Sequence, residues 1–202
     1  MQRIVLASNN AGKLREISAM VADRDLQVES QSAFNVPEVA ETGTTFIENA
    51  IIKARNASQL SDLPAIADDS GIEVMALGGR PGIYSARYAG EGASDRDNLE
   101  KLIEDVKNLP EERRAARFVC VMVFIRHAGD PVPLVAEGIW NGIAVTEPKG
   151  SNGFGYDPMF YVPTHDCTSA ELPPDVKNQI SHRGQALRKL IEQLKLLRTE
   201  DS

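Results

Sequence analysis

Residues 3–22 read Arg3-Ile4-Val5-Leu6-Ala7-Ser8-Asn9-Asn10-Ala11-Gly12-Lys13-Leu14-Arg15-Glu16-Ile17-Ser18-Ala19-Met20-Val21-Ala22, and this stretch sets the class of fold. Arg3 to Ala7 reads as a buried strand. Ser8 to Gly12 is a small polar turn. A helix follows to about Ala22, with Leu14, Ile17 and Val21 inward. Thr45-Phe46-Ile47-Glu48 is a capping box that opens a second helix to about Leu60. Pro64 to Asp68 reads as a short strand stopped by Asp69-Ser70-Gly71, and Ile72 to Leu77 as another strand. Gly78 to Gly82 is loop. Ser94 begins a helix to about Asn108. Arg117 to Arg126 is a long β-rich strand, expected to pair with Leu134 to Ile139. Gly150 to Pro158 is a second glycine-rich loop. Ser181 caps a last helix with Leu187, Leu190, Ile191, Leu194 and Leu197 on one stripe. Helices alternate with strands early and strands follow strands in the middle, which predicts an α/β fold with a mixed sheet.

Composition narrows the function. At 202 residues, 42% hydrophobic and 25% charged, the chain is expected to be one soluble domain, or one domain with two lobes. Two cysteines exclude a disulfide scaffold and a four-cysteine zinc site, and suit a reducing cytosol. The apolar run Val119 to Ile125 is far shorter than the roughly 20 residues a membrane span needs. The N-terminus shows no signal-peptide core, so a cytoplasmic protein without a membrane is expected. A net charge of −7 argues against binding a nucleic-acid polymer over a broad face. A small anionic ligand needs only a few local cations and stays open.

Five stretches carry candidate chemistry. Ser8-Asn9-Asn10-Ala11-Gly12-Lys13 places free N–H groups, a helix N-terminus and a lysine together, a combination that favours an anion. It is not a Walker loop, since Leu14 stands in the Ser/Thr position. Plain capping by an asparagine is the alternative. Lys53 falls at the edge of its helix's apolar arc, beside Asn49 and Asn56. It either snorkels to water or points into a site. Glu41 and the pair Asp68-Asp69, followed by Ser70, form an acidic set. Neighbours on an extended backbone face opposite ways, so one aspartate can enter a site while the other orients its surroundings. Such carboxylates suit Mg²⁺; a solvated turn is the alternative. Phe154, Gly155, Tyr156 and Asp157 offer rings to stack on a base and a carboxylate for its edges, or else plug the core. Lys177 and the pair His182-Arg183 complete the set. Cations in a helix's first turn oppose its dipole at about 0.3–1 kcal/mol, which points to a functional role for Arg183. Trp140 reads as packing.

The segments Ser8–Lys13, Glu41–Ala54 (ETGTTFIENAIIKA), Ala65–Ile72 (AIADDSGI), Pro81–Gly90 (PGIYSARYAG), Gly153–Pro158 (GFGYDP) and Ile180–Leu187 (ISHRGQAL) resemble, in this order, the inosine triphosphate pyrophosphatase family and its bacterial dITP/XTP members. The resemblance implies an elongated two-lobed fold with a cleft between the lobes, a homodimer, Mg²⁺ dependence, and hydrolysis of ITP, dITP and XTP to monophosphate and pyrophosphate. It implies that Ser8, Asn9, Asn10, Ala11, Gly12, Lys13 and Lys53 hold the triphosphate, and that Glu41 and Asp69 serve the metal. Asp69 would also accept the proton, with Asp68 beside it. Ser70 would touch substrate. Phe154 to Asp157, Lys177, His182 and Arg183 would receive the base. A sensor without catalysis, or a pyrophosphatase for other nucleotides, are the competing readings.

Overall fold

The computed structural model describes residues 2–21 and 26–200, with the side chains of residues 2 and 197–200 left out. The expected helix end at Ala22 and the inward side chain of Leu197 lie outside the described residues. The strand, turn and helix expected at the start are present as β1 (Gln2–Leu6) and α1 (Ala11–Val21). Alternation along β1 sends Ile4 and Leu6 to one face, and Val5 and then Ala7 to the other. Ile17 and Val21 of α1 cover the first face. The second is covered by α2 (Phe46–Ser61) through Ala50, Ala54 and Ala57, whose small side chains let the helix backbone lie close to the sheet. Thr45 caps α2 by accepting from the Glu48 N–H. The Glu48 carboxylate accepts in return from the Thr44 N–H at 2.8 Å.

The remaining elements are β2 (Leu26–Ser30), β3 (Ala65–Val74), α3 (Asp95–Val106), β4 (Ala115–Ile125), β5 (Leu134–Ala144), β6 (Phe160–Val162), β7 (Cys167–Thr168), α4 (Pro174–Ile180) and α5 (His182–Glu200). One seven-stranded sheet runs in the order β2-β1-β3-β4-β5-β6-β7. β1 pairs in parallel with β2 and β3, whereas β5–β6 and β6–β7 are antiparallel, so the sheet is mixed as predicted. The α5 stripe is buried through Ala186, Leu187, Leu190 and Ile191, with Leu194 packed beside them. Among the described residues no helix is long and apolar enough to cross a membrane.

The chain divides into two compact units, Met1–Asp69 with Cys120–Gly138 and Arg183–Ser202, and Ser70–Val119 with Ile139–His182. In the first, α1 and α5 lie on one face of the strands and α2 on the other. In the second, a single core gathers Ile72, Val74, Leu102, Val106, Phe118, Trp140 and Phe160. Trp140 is packing there, as read.

One expectation is corrected. Asp69-Ser70-Gly71 does not stop a strand, because Ala65 to Val74 is a single ten-residue strand, and a short 3₁₀ turn over Met75–Leu77 follows it. Gly71 is explained by crowding. A Cβ there would stand 2.3 Å from the Gly82 carbonyl oxygen and 2.5 Å from Ser85 Oγ. The Ser85 hydroxyl accepts from the Ile72 N–H and donates to the Gly82 carbonyl, fastening the Pro81–Gly90 segment to β3.

Candidate active site

The pleat of β3 decides what surrounds each aspartate. Ile66 faces the side covered by α1 and α5, and Ala65 and Ala67 face α2. Two residues beyond Ile66, Asp68 therefore points toward α1 and α5, and Asp69 toward α2. The contacts follow this alternation. Asp68 is fully buried, with Lys13 Nζ 3.0 Å from its Oδ1 and Arg183 Nε 3.3 Å from its Oδ2. The buried Cys120 thiol lies 4.0 Å from the same Oδ2. Burial pushes the Asp68 carboxyl up, but Lys13, Arg183 and Lys53 outweigh it and hold the group well below the usual carboxylate range.

Asp69 meets a different set. Lys53 Nζ, from α2, is 2.6 Å from Asp69 Oδ1 and 2.9 Å from Glu41 Oε1. Burial works against the Lys53 charge, yet Asp69, Asp68 and Glu41 together raise its pKa. For Asp69, burial prevails over the attraction of Lys53 and moves the carboxyl upward. Its Oδ2 is buried and has no hydrogen-bond partner. Of the two readings of Lys53, the side chain does not snorkel to water but is 14% exposed between two carboxylates.

The Ser8–Lys13 turn is capped by an asparagine. Asn10 Oδ1 accepts from the Lys13 N–H at 3.0 Å and caps α1, while the Asn10 N–H donates to Ser8 Oγ at 3.1 Å. Asn9 Nδ2 donates to Glu38, and Ser30 Oγ donates to the Ser8 carbonyl. The N–H groups of Ala11 and Gly12, in the first turn, have no intrahelical carbonyl to bond. Asn9, Asn10 and Ala11 are exposed, so a cap made by the protein leaves an anion-receptive end open.

In the second unit, the glycine loop is pinned from inside. Asp157 accepts from the Phe154 N–H at 2.9 Å, from Lys177 Nζ at 2.7 Å and from Ser169 Oγ at 2.7 Å. Gly153 has φ 76°, and a Cβ there would lie 2.0 Å from Asp157 Oδ2. Phe154 and Gly155 are half-buried, and Lys177 Nζ sits 5.2 Å from the centre of the Phe154 ring. The Gly155 N–H donates to Asp95. Ser70, on β3 directly after Asp69, is half-buried.

Four residues expected at the base have partners within the protein. Tyr156 is buried with its hydroxyl on the Ser85 carbonyl at 2.7 Å, so this ring plugs the core. The Asp157 carboxylate ties its own loop to Ser169 and Lys177. His182 is buried and stacks on Phe118 at 4.6 Å with an 8° interplanar angle. Arg183 does have the anionic partner its position in the first turn of α5 demands, but the partners are Glu16 and Asp68 of the protein itself. Sequence reasoning missed Glu16. The signal was its i,i+3 spacing from Lys13, which puts both side chains on one stretch of α1. It also missed Ser169, although Thr168-Ser169-Ala170-Glu171 is a capping box.

Among the described residues no group of three His, Cys, Asp or Glu side chains is arranged to hold a metal ion. Glu41 and Asp69 are two carboxylates that share one cation, and one of their oxygens is orphaned and buried. That donor set fits a hard cation that completes its shell with water and phosphate oxygens.

The Ham1 family model matches residues 4–193. A dITP/XTP pyrophosphatase of Vibrio cholerae is 59% identical over 98% of this chain and 100% of its own length. One from Shigella flexneri is 55% identical over 96% and 99%. A HAM1 protein of Coxiella burnetii superposes with a TM-score of 0.88 at 48% identity, covering 96% of this chain and 99% of its own. The Ham1 protein of Staphylococcus aureus gives 0.83 at 45%, covering 96% and 98%.

Proposed function

The chain belongs to the Ham1 family, and on that premise we propose that it hydrolyses dITP, ITP and XTP to the monophosphate and pyrophosphate, clearing deaminated purines from the nucleotide pool. The observation that carries the reading is the pair Asp68-Asp69, each aspartate bound to its own lysine on its own face of β3. Attack on the α-phosphorus requires charge to be neutralised along three phosphates and a water to lose its proton. The open end of α1, Lys13 and Lys53 supply the positive field. Asp69, raised by burial and with one oxygen unpartnered, is the group to take the proton. The water oxygen bonds to the α-phosphorus as the bond to the bridging oxygen breaks, and pyrophosphate leaves. Asp68, buried beneath Lys13 and Arg183, is a positioning residue that fixes the lysine.

Glu41 and Asp69 are the residues to hold Mg²⁺, which when bound adds charge neutralisation at the phosphates. For the base, of Phe154 to Asp157 the Phe154 ring and the Gly155 backbone are the groups that are not buried. Lys177 is the donor candidate for a purine O6. Asp157 holds the loop through the Phe154 N–H. A 6-oxo purine accepts at O6 where adenine donates, so a site built around a donor leaves that donor unpaired against ATP. The family resemblance also carries a homodimer acting in the cytosol. Incubating the protein with ITP and Mg²⁺ should release IMP and pyrophosphate, resolved by anion-exchange chromatography. Recovery of IDP and orthophosphate would overturn the reaction.

A further inference from the structure

Lys53 stands where a metal ion would stand in electrostatic terms. Its ammonium touches Asp69 Oδ1 at 2.6 Å and Glu41 Oε1 at 2.9 Å. Two carboxylates that share a site repel one another unless a cation lies between them. Here the cation is the protein's own, delivered by α2 from a half-buried position. The arrangement is also incomplete. Asp69 Oδ2 is buried without a partner, so the ammonium leaves one strong acceptor unused.

We infer that Lys53 is a placeholder cation that keeps Glu41 and Asp69 together in the metal-free protein and yields them when a divalent ion binds. The inference rests on reading Glu41 and Asp69 as the metal carboxylates. The displaced ammonium is then available to phosphate oxygens, its other role in the proposed reaction. Two consequences follow from linkage. A divalent ion entering the nucleotide-free protein has to displace an ion pair, so its affinity is weaker than two carboxylates alone would give. A phosphate chain that draws Lys53 away strengthens metal binding, and metal binding strengthens the hold on phosphate by the same factor. The lysine thereby biases the site against taking up metal before substrate.

The test is binding of Mn²⁺ alone to the nucleotide-free protein, with free Mn²⁺ counted by electron paramagnetic resonance. Lys53→Met keeps the length of the stem and removes the charge. It should bind Mn²⁺ about 5-fold tighter or more, the lower range of a typical coupling between sites. Lys53→Arg retains a cation and should stay near the wild-type affinity, and Lys53→Gln provides a second neutral variant should the methionine fail to fold. Adding Asp69→Asn to Lys53→Met should abolish the gain. Neutral variants that bind Mn²⁺ no tighter than wild type, while Asp69→Asn alone still weakens binding, would overturn the placeholder and leave the metal assignment standing. Mn²⁺ binding indifferent to Asp69→Asn in every background would overturn the metal assignment and this inference with it.

Discussion

Asparagine at position 69 removes a buried charge together with a carboxylate oxygen that has no hydrogen-bond partner, whereas asparagine at position 68 removes the carboxylate shared by Lys13 and Arg183. The two changes should separate activity from stability. Asp69→Asn should lower kcat by at least about 10²-fold, the low end for loss of an acid–base group, with little change in the urea midpoint. Asp68→Asn should cost about 1.5–3 kcal/mol, the range for hydrogen bonds to charged groups. The 3–5 kcal/mol of a wholly broken buried pair is too large here, because Arg183 keeps Glu16 and Lys13 is 16% exposed. Paired kcat and urea-denaturation measurements check both. A stable, inactive Asp68→Asn beside an active Asp69→Asn would reverse the assignment. The opposed facing of these residues was legible from the period of an extended chain. The true partners of Arg183 were not, because nothing local in the Ile180–Leu187 sequence says that α5 lies against the α1 residue Glu16.

At the scale of elements, β3 shows how breaker residues mislead. Two aspartates, a serine and a glycine in succession carry the local chemistry of a turn, yet tertiary contacts override it. Lys13, Arg183 and Lys53 neutralise the aspartates, and Ser85 with Gly82 fills the space that a side chain at position 71 would need. Gly71→Ala should therefore destabilise by about 1–3 kcal/mol, the cost of overpacking a closed site. The clash is with a backbone carbonyl that cannot rotate away, so the loss should show as a lowered Tm. An unchanged Tm would mean that the Pro81–Gly90 segment yields easily. Elements with clear caps or stripes, α1, α2, α3 and α5, were legible. The missed β2 offers only Leu26 and Val28 as apolar residues. The missed β6 and β7 span three and two residues, too short for any period to emerge.

For the whole molecule, the boundaries between the two units fall inside strands: β3 between Asp69 and Ser70, β4 between Val119 and Cys120, β5 between Gly138 and Ile139. Three unbroken strands thus belong to both units, and pairing lost in one removes a fixed end from the other. Unfolding should then be a single cooperative transition. The chain carries its own reporters. Trp140, its one tryptophan, is 6% exposed in the core of the second unit, and Cys120 is fully buried in that of the first. Cys167 is only half-buried, so Cys167→Ser leaves the Cys120 thiol as the sole labelling site. In a urea series, Trp140 fluorescence and Cys120 labelling should give one midpoint and one slope. Two midpoints, with Trp140 reporting before or after Cys120, would show the strands to be less of a tie than their continuity implies. The chain would then have to be treated as two folding domains rather than one.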